Sequence, residues 1–170
     1  ALVNRLSMFV LRAKAKLTDA TADIQIFGFA GNAIESVAGG AQPAWSKVDF
    51  DNKSVVHLPP AAGQPRALWL APAGEPAPAG SALDPELWAW GEVQSGVATL
   101  TAPLVDAFVP QMLNYESVDG ASFTKGCYPG QEVVARSQFR GAIKRRAYLA
   151  HAEAELVAGA DENAPADSAH

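Results

Sequence analysis

Residues 125–132, Lys-Gly-Cys-Tyr-Pro-Gly-Gln-Glu, set the only cysteine of the chain between a lysine and two glycines. A structural cysteine normally sits in an apolar run, where it behaves as a small hydrophobe with an inert thiol. Cys127 has no such neighbours. If residues 125–127 are extended, the two-residue period brings the Lys125 ammonium and the Cys127 sulfur to one side of the backbone. A cation there favours the thiolate, the form that acts as nucleophile and metal ligand. The competing reading is a tight turn, in which Gly126 and Gly130 supply backbone freedom, Pro129 fixes the entry and the thiol packs beneath.

Other groups nearby carry chemistry of their own. Arg136, Arg140, Lys144, Arg145 and Arg146 place five cations in eleven residues. They suit a polyanionic ligand tail or an acidic protein partner, or else form a solvated strand edge that deters aggregation. Glu132 and Arg136 fall at i and i+4 of a short helix predicted over 130–137. Gln111 and Asn114 are amides in an otherwise apolar stretch; buried amides must find partners, and these two are placed to brace the cysteine loop. A lone cysteine excludes an internal disulfide and a multi-cysteine metal site within the chain. His57, His151 and His170 are far apart, so no metal site is predicted, and an iron–sulfur cluster would have to share Cys127 with another protein.

Extended to KGCYPGQEVVAR, residues 125–136, the segment resembles the signature of the YgfZ-type folate-binding proteins, relatives of the glycine-cleavage T-protein. Upstream FVPQMLNYE, 108–116, is similar to the Pro-Gln-x-x-Asn element that precedes this signature, and GAIKRRAYLA, 141–150, to the basic strand that follows it. A weaker likeness runs from residue 11 through Trp88 and Trp90. The resemblance implies a protein that binds tetrahydrofolate or a one-carbon derivative and assists maturation or repair of iron–sulfur proteins, with indirect effects on tRNA modification. Its partners would be the folate and iron–sulfur client or assembly proteins. The activity-linked lysine and cysteine carry over to Lys125 and Cys127.

In the related aminomethyltransferases a glutamate of an Arg-Leu-Glu-Ala-Gly element grips the pterin ring, and Gln94 of Glu92-Val93-Gln94-Ser95-Gly96 stands in its place. An amide offers one acceptor oxygen where a carboxylate offers two. The folate-binding set implied by the resemblance is Gln94, Glu132, Arg136 and Arg145, with Gln111, Asn114, Tyr128, Gly130 and Gln131 supporting the loop. Two other readings stand beside it. One is a one-carbon transferase of the aminomethyltransferase kind, although Cys127 occupies a place where that signature looks acidic. The other is a non-catalytic scaffold whose basic strand docks an acidic partner.

The chain of 170 residues has a net charge of −5 and a pI near 5.1. That balance argues against nucleic acid as a direct, main ligand, because such binders usually show a basic excess. No apolar run approaches the roughly 20 residues of a membrane span and no signal segment opens the chain, so no membrane partner and a cytoplasmic location are expected. The start at Ala1 on an amphipathic stretch suggests a fragment that lacks an N-terminal portion and most of a C-terminal barrel.

The elements that would position the site follow from periodicity. A helix is predicted over 1–12, a strand within 15–31, a helix over 32–39, an antiparallel pair of strands at 54–58 and 66–71, a helix over 85–90 capped by Asp84, and a strand over 92–100. This order is that of a split βαβ unit. The fold predicted is α+β: a ferredoxin-like antiparallel sheet over 1–100 with helices on one face, equivalent to the middle domain of the T-protein-like fold. A signature loop region then fills 101–140, and the start of a β-barrel 141–170. Trp45, Trp69, Trp88 and Trp90 are assigned to packing; Trp88 and Trp90, at i and i+2, should point to different faces, so at most one lines any given pocket. Lys14 and Lys16 are expected in water.

Overall fold

The computed structural model describes residues 2–10, 14–128, 130–141, 143 and 145–153. The fold is α+β, built on a four-stranded antiparallel sheet of β1 (Ile24–Ala30), β2 (Lys47–Phe50), β3 (Lys53–Ala61) and β4 (Gln64–Pro72) in the order β1-β4-β3-β2. β3 and β4 form the expected pair, with Ser54 opposite Leu70 and His57 opposite Ala67. Their turn consists of Ala62 and Gly63, both left-handed at φ 47° and 76°, the φ pattern of a two-residue turn whose twist matches that of the strands. Pro59 and Pro60 belong to β3 rather than to the turn. They sit where the register breaks between Leu58 and Ala61, since proline cannot donate to a ladder.

β1 pairs antiparallel with β4, so β1 and β3 run the same way with β4 between them, and α2 (Ala33–Ala38) follows β1. That part of the split βαβ order is present. The remaining strand differs. It is Lys47–Phe50, beside β3, whereas the stretch 92–100 forms no strand. The Asp84 carboxylate caps the Glu86 amide at 2.9 Å and Pro85 opens the helix, so α3 (Pro85–Gln94) continues through the stretch predicted extended until Gly96 turns left-handed at φ 72°.

Helices cover both faces of the sheet, not one. Phe29, Val55, Ala67, Trp69 and Ala71 share one face with fully buried Ile34 of α2, whose burial contributes roughly 2–3 kcal/mol. The opposite face carries Gly28 and Arg66 and receives α3. Gly28 is the cause: a Cβ there would stand 2.7 Å from the Trp88 ring, so only glycine leaves the slot that the indole fills. Arg66 is 3% exposed, with its guanidinium 4.5 Å from the Trp88 ring centroid; it donates to the Gly91 carbonyl at 3.2 Å and pairs with Glu92.

The ends depart from the sequence expectations. α1 spans only Leu2–Ser7, and its apolar Leu6, with the following Phe9, is exposed rather than packed on the sheet. Residues 11 and 12 lie outside the described residues. Lys14 and Lys16 are in water, as expected. Beyond α3 come short 3-10 helices at Ala102–Leu104, Pro110–Leu113 and Tyr115–Val118, a loop, and α4 (Gln131–Phe139). The described residues of 141–153 form no strand: their one backbone-to-backbone bond among the described residues is Ala147 N–H to the Met112 carbonyl at 2.7 Å, which makes no ladder. No helix among the described residues is long and apolar enough to cross a membrane.

Candidate functional site

The cysteine loop is held at its C-terminal end by a reciprocal pair of bonds. The Tyr128 amide donates to Gln131 Oε1 at 3.1 Å, and the Gln131 amide donates to the Tyr128 carbonyl at 3.3 Å. Gly130, left-handed at φ 83°, turns the chain between them into α4, a conformation other residues adopt only under strain. Tyr128, Gly130 and Gln131 are joined in this way at the start of α4; Pro129 and Lys144 lie outside the described residues. Cys127 and Lys125 are exposed. The thiol is therefore not packed beneath a turn. The Lys125 ammonium stands 4.7 Å over the Tyr128 ring.

A second layer of bonds ties α4 to the segments before and after it. Gln111 is completely buried, and its Nε2 donates to the Val134 carbonyl of α4 at 2.8 Å. Asn114, left-handed at φ 55°, donates through Nδ2 to the Ala147 carbonyl at 2.7 Å. Arg146 Nη1 donates to Asn114 Oδ1 at 2.8 Å and to Glu116 Oε1 at 2.6 Å. Residues 110–116, α4 and 146–147 are thereby fastened together. Two struts join this assembly to the rest: Trp45 Nε1 donates to the Val118 carbonyl, and the Tyr115 hydroxyl to the Ala98 carbonyl, both at 2.6 Å. Trp45 is itself left-handed, at φ 68°.

The predicted ligand groups are more dispersed. Glu132 and Arg136 are both exposed and form no ion pair among the described residues; in water such an attraction is weak. Arg145 is exposed as well. Gln94 is half-buried at the end of α3.

An open cleft of about 300 Å³ lies between the end of α3 and the fastened segments, lined by Glu92, Val93, Gly96–Thr99, Leu113, Asn114 and 147–149. Gln94 does not line it and Glu92 does. Glu92 and Val93 reach it from the end of α3 and Gly96–Thr99 continue its wall beyond the helix, while 94 is turned some 200° from 92 at 3.6 residues per turn. Lys125, Cys127, Glu132, Arg136 and Arg145 do not line it either. A smaller cleft of about 120 Å³ separates α3 from the β3–β4 hairpin. Trp88 and Trp90 both border it, contrary to the expectation from their spacing, because Trp88 reaches in from the sheet side and Trp90 from the half-exposed rim. No cluster of three or more metal-ligating side chains occurs among the described residues.

Curated proteins share part of this sequence. The tRNA-modifying protein YgfZ of Edwardsiella ictaluri is 40% identical over 80 residues, covering 47% of this chain and 24% of the relative. YgfZ of Serratia proteamaculans is 41% identical over 80 residues, with the same coverage, and that of Aliivibrio fischeri 42% over 66, covering 39% of this chain and 21% of the relative. Over the matched residues, the chain is similar to YgfZ proteins.

The alignment spans about a quarter of the length of these YgfZ relatives or less. No protein-family model matches the chain, and no solved structure matches it. Three residues of the site escaped sequence reasoning: Glu92 and Tyr148 at the cleft, and Glu116 as the partner of Arg146. Glu92 carried a usable signal, an acid two positions before Gln94 that a helical reading of 85–94 would have set on another face.

Proposed function

We propose that this chain supplies the thiol loop and a pterin-sized cleft of a folate-dependent accessory protein for maturation or repair of iron–sulfur proteins, acting in the cytoplasm and upstream of tRNA modification. The observation that carries this reading is the composition of the 300 Å³ cleft. It is lined by residues of the 92–96, 108–116 and 141–150 stretches, all of which bear the resemblance to YgfZ-type and T-protein sequences. In this reading the sheet is the middle unit of a T-protein-like fold.

The residues present fit the pterin end of tetrahydrofolate. The volume is at the lower bound of ligand pockets, enough for a bicyclic ring and not for a whole folate. The Glu92 carboxylate accepts from pterin N–H groups while Arg66 fixes its orientation, Asn114 adds an amide, and the exposed Tyr148 ring offers a stacking face. Bound tetrahydrofolate supplies a one-carbon carrier. Cys127 supplies an exposed thiol that binds iron together with ligands of the client protein.

Calorimetry with 5-formyltetrahydrofolate on the protein carrying this chain tests the cleft. Glu92→Gln and Tyr148→Ala should each weaken binding about tenfold or more, and absence of binding heat from the unsubstituted protein refutes folate recognition. Cys127→Ala should bind folate normally yet fail to restore iron–sulfur enzyme activity in cells lacking the protein. Full restoration removes the thiol from the function.

A further inference from the structure

We propose that the loop of residues 122–128 and the outward face of α4 form a binding surface for single-stranded nucleic acid. The net charge of −5 averages two unlike regions: between residues 120 and 150 the sequence holds six cations and one acid, Glu132. A local cationic stripe, rather than the chain total, is what a polyphosphate meets.

The loop lies along α4. At one end the Phe123 and Phe139 rings meet edge to face with centroids 6.4 Å apart, and at the other Tyr128 is bonded to Gln131. Lys125, Arg136 and Arg140 project from this surface, all exposed, and none makes an ion pair among the described residues. Elsewhere Lys47, Lys53, Arg66 and Arg146 each pair with an acid of the protein. Of the cations without an ion pair among the described residues, Lys125, Arg136 and Arg140 share this surface, while Arg5, Lys14 and Lys16 belong to the N-terminal segment and Arg145 follows α4.

Aromatic rings are interleaved with them. Phe139 is 73% exposed, Phe123 39% and Tyr128 37%. Cations that track a phosphate backbone combined with rings on which bases stack is the arrangement that holds single strands without regard to sequence. A run of carboxylates would neutralise the cations but brings no aromatic ring to cover Phe139, whereas in a nucleic-acid strand every phosphate comes with a base, so one strand satisfies both groups at once.

The test is fluorescence anisotropy of a fluorescein-labelled 12-nucleotide oligouridylate on the protein carrying this chain, as a function of salt, with a polyglutamate peptide as competitor. Arg136→Gln and Arg140→Gln should each lower the magnitude of the log affinity against log salt slope by about 0.7. Phe139→Ala should weaken binding about five- to hundredfold and leave that slope unchanged. All three side chains are exposed, so circular dichroism should show unchanged folding. Lack of binding at 50 mM salt overturns the proposal. So does a Phe139→Ala protein that binds normally, or polyglutamate that competes on equal terms with the oligonucleotide, either of which makes this an acidic-protein surface.

Discussion

The indole of Trp88 fills the volume that any side chain on Gly28 would occupy, with ring atoms 2.7 Å from an added Cβ. One missing side chain on β1 thereby seats α3 on its face of the sheet, and α3 in turn carries Glu92 to the cleft. Gly28→Ala should cost about 1–3 kcal/mol through overpacking, seen as a fall of several degrees in thermal midpoint. Combining it with Trp88→Leu should cost less than the two changes summed, because the smaller side chain relieves the clash.

Ala62 holds a left-handed conformation, φ 47°, in the β3–β4 turn. Such a conformation costs an L-residue with a Cβ roughly 1–2 kcal/mol, and asparagine before glycine is the favoured pair in turns of this type. Ala62→Asn should stabilise the protein by about 0.5–1 kcal/mol. Chemical denaturation should show a higher midpoint with an unchanged slope.

Arg146 joins residues 111–116 to the chain after α4, and Glu116 Oε2 is buried without a partner among the described residues even while Arg146 is present. Removing the guanidinium in Arg146→Ala strips Glu116 of its counter-charge. The expected loss is about 1–3 kcal/mol, felt locally. Hydrogen exchange should quicken across 110–118 and α4 while β3 and β4 keep their protection.

Glu75 gives the sheet a dependence on acid. Hydrogen bonds from Asn52 and then Lys53 hold its carboxyl below the usual glutamate range. A carboxyl whose value is lower folded than unfolded contributes stability that is complete above the unfolded value and lost as pH falls through the folded one. Thermal midpoints between pH 7 and pH 3 should therefore decline less steeply for Glu75→Gln than for the unsubstituted protein.

Local chemistry made much of the site legible beforehand. Gly130 before a helical stretch announces α4, and the amides of Gln111 and Asn114 in an apolar run announce bonds to partners, whereas the neighbours of Cys127 left its exposure open until the fold was known. The strand pair flanking the Ala62–Gly63 turn follows from two short apolar runs either side of a turn-rich connection. What misled was EVQSGVATL, 92–100, whose β-branched residues suggest a strand. Propensity over so few residues is a weak prior, and the Asp84 cap eight residues upstream settled the issue by starting a helix that runs through Gln94.

By itself, then, the sequence determined the elements whose start and stop signals are local, because turn and cap energies act over a few residues, while it left the thiol either exposed or packed beneath its turn. Only the tertiary structure decided which face of the sheet each helix took, that β2 and not 92–100 completes the sheet, that Glu92 and not Gln94 reaches the cleft, and that Arg146 meets Glu116. Those outcomes depend on contacts between residues 30 to 60 positions apart, such as Trp88 on Gly28 and Arg146 on Glu116, whose energies no local window contains.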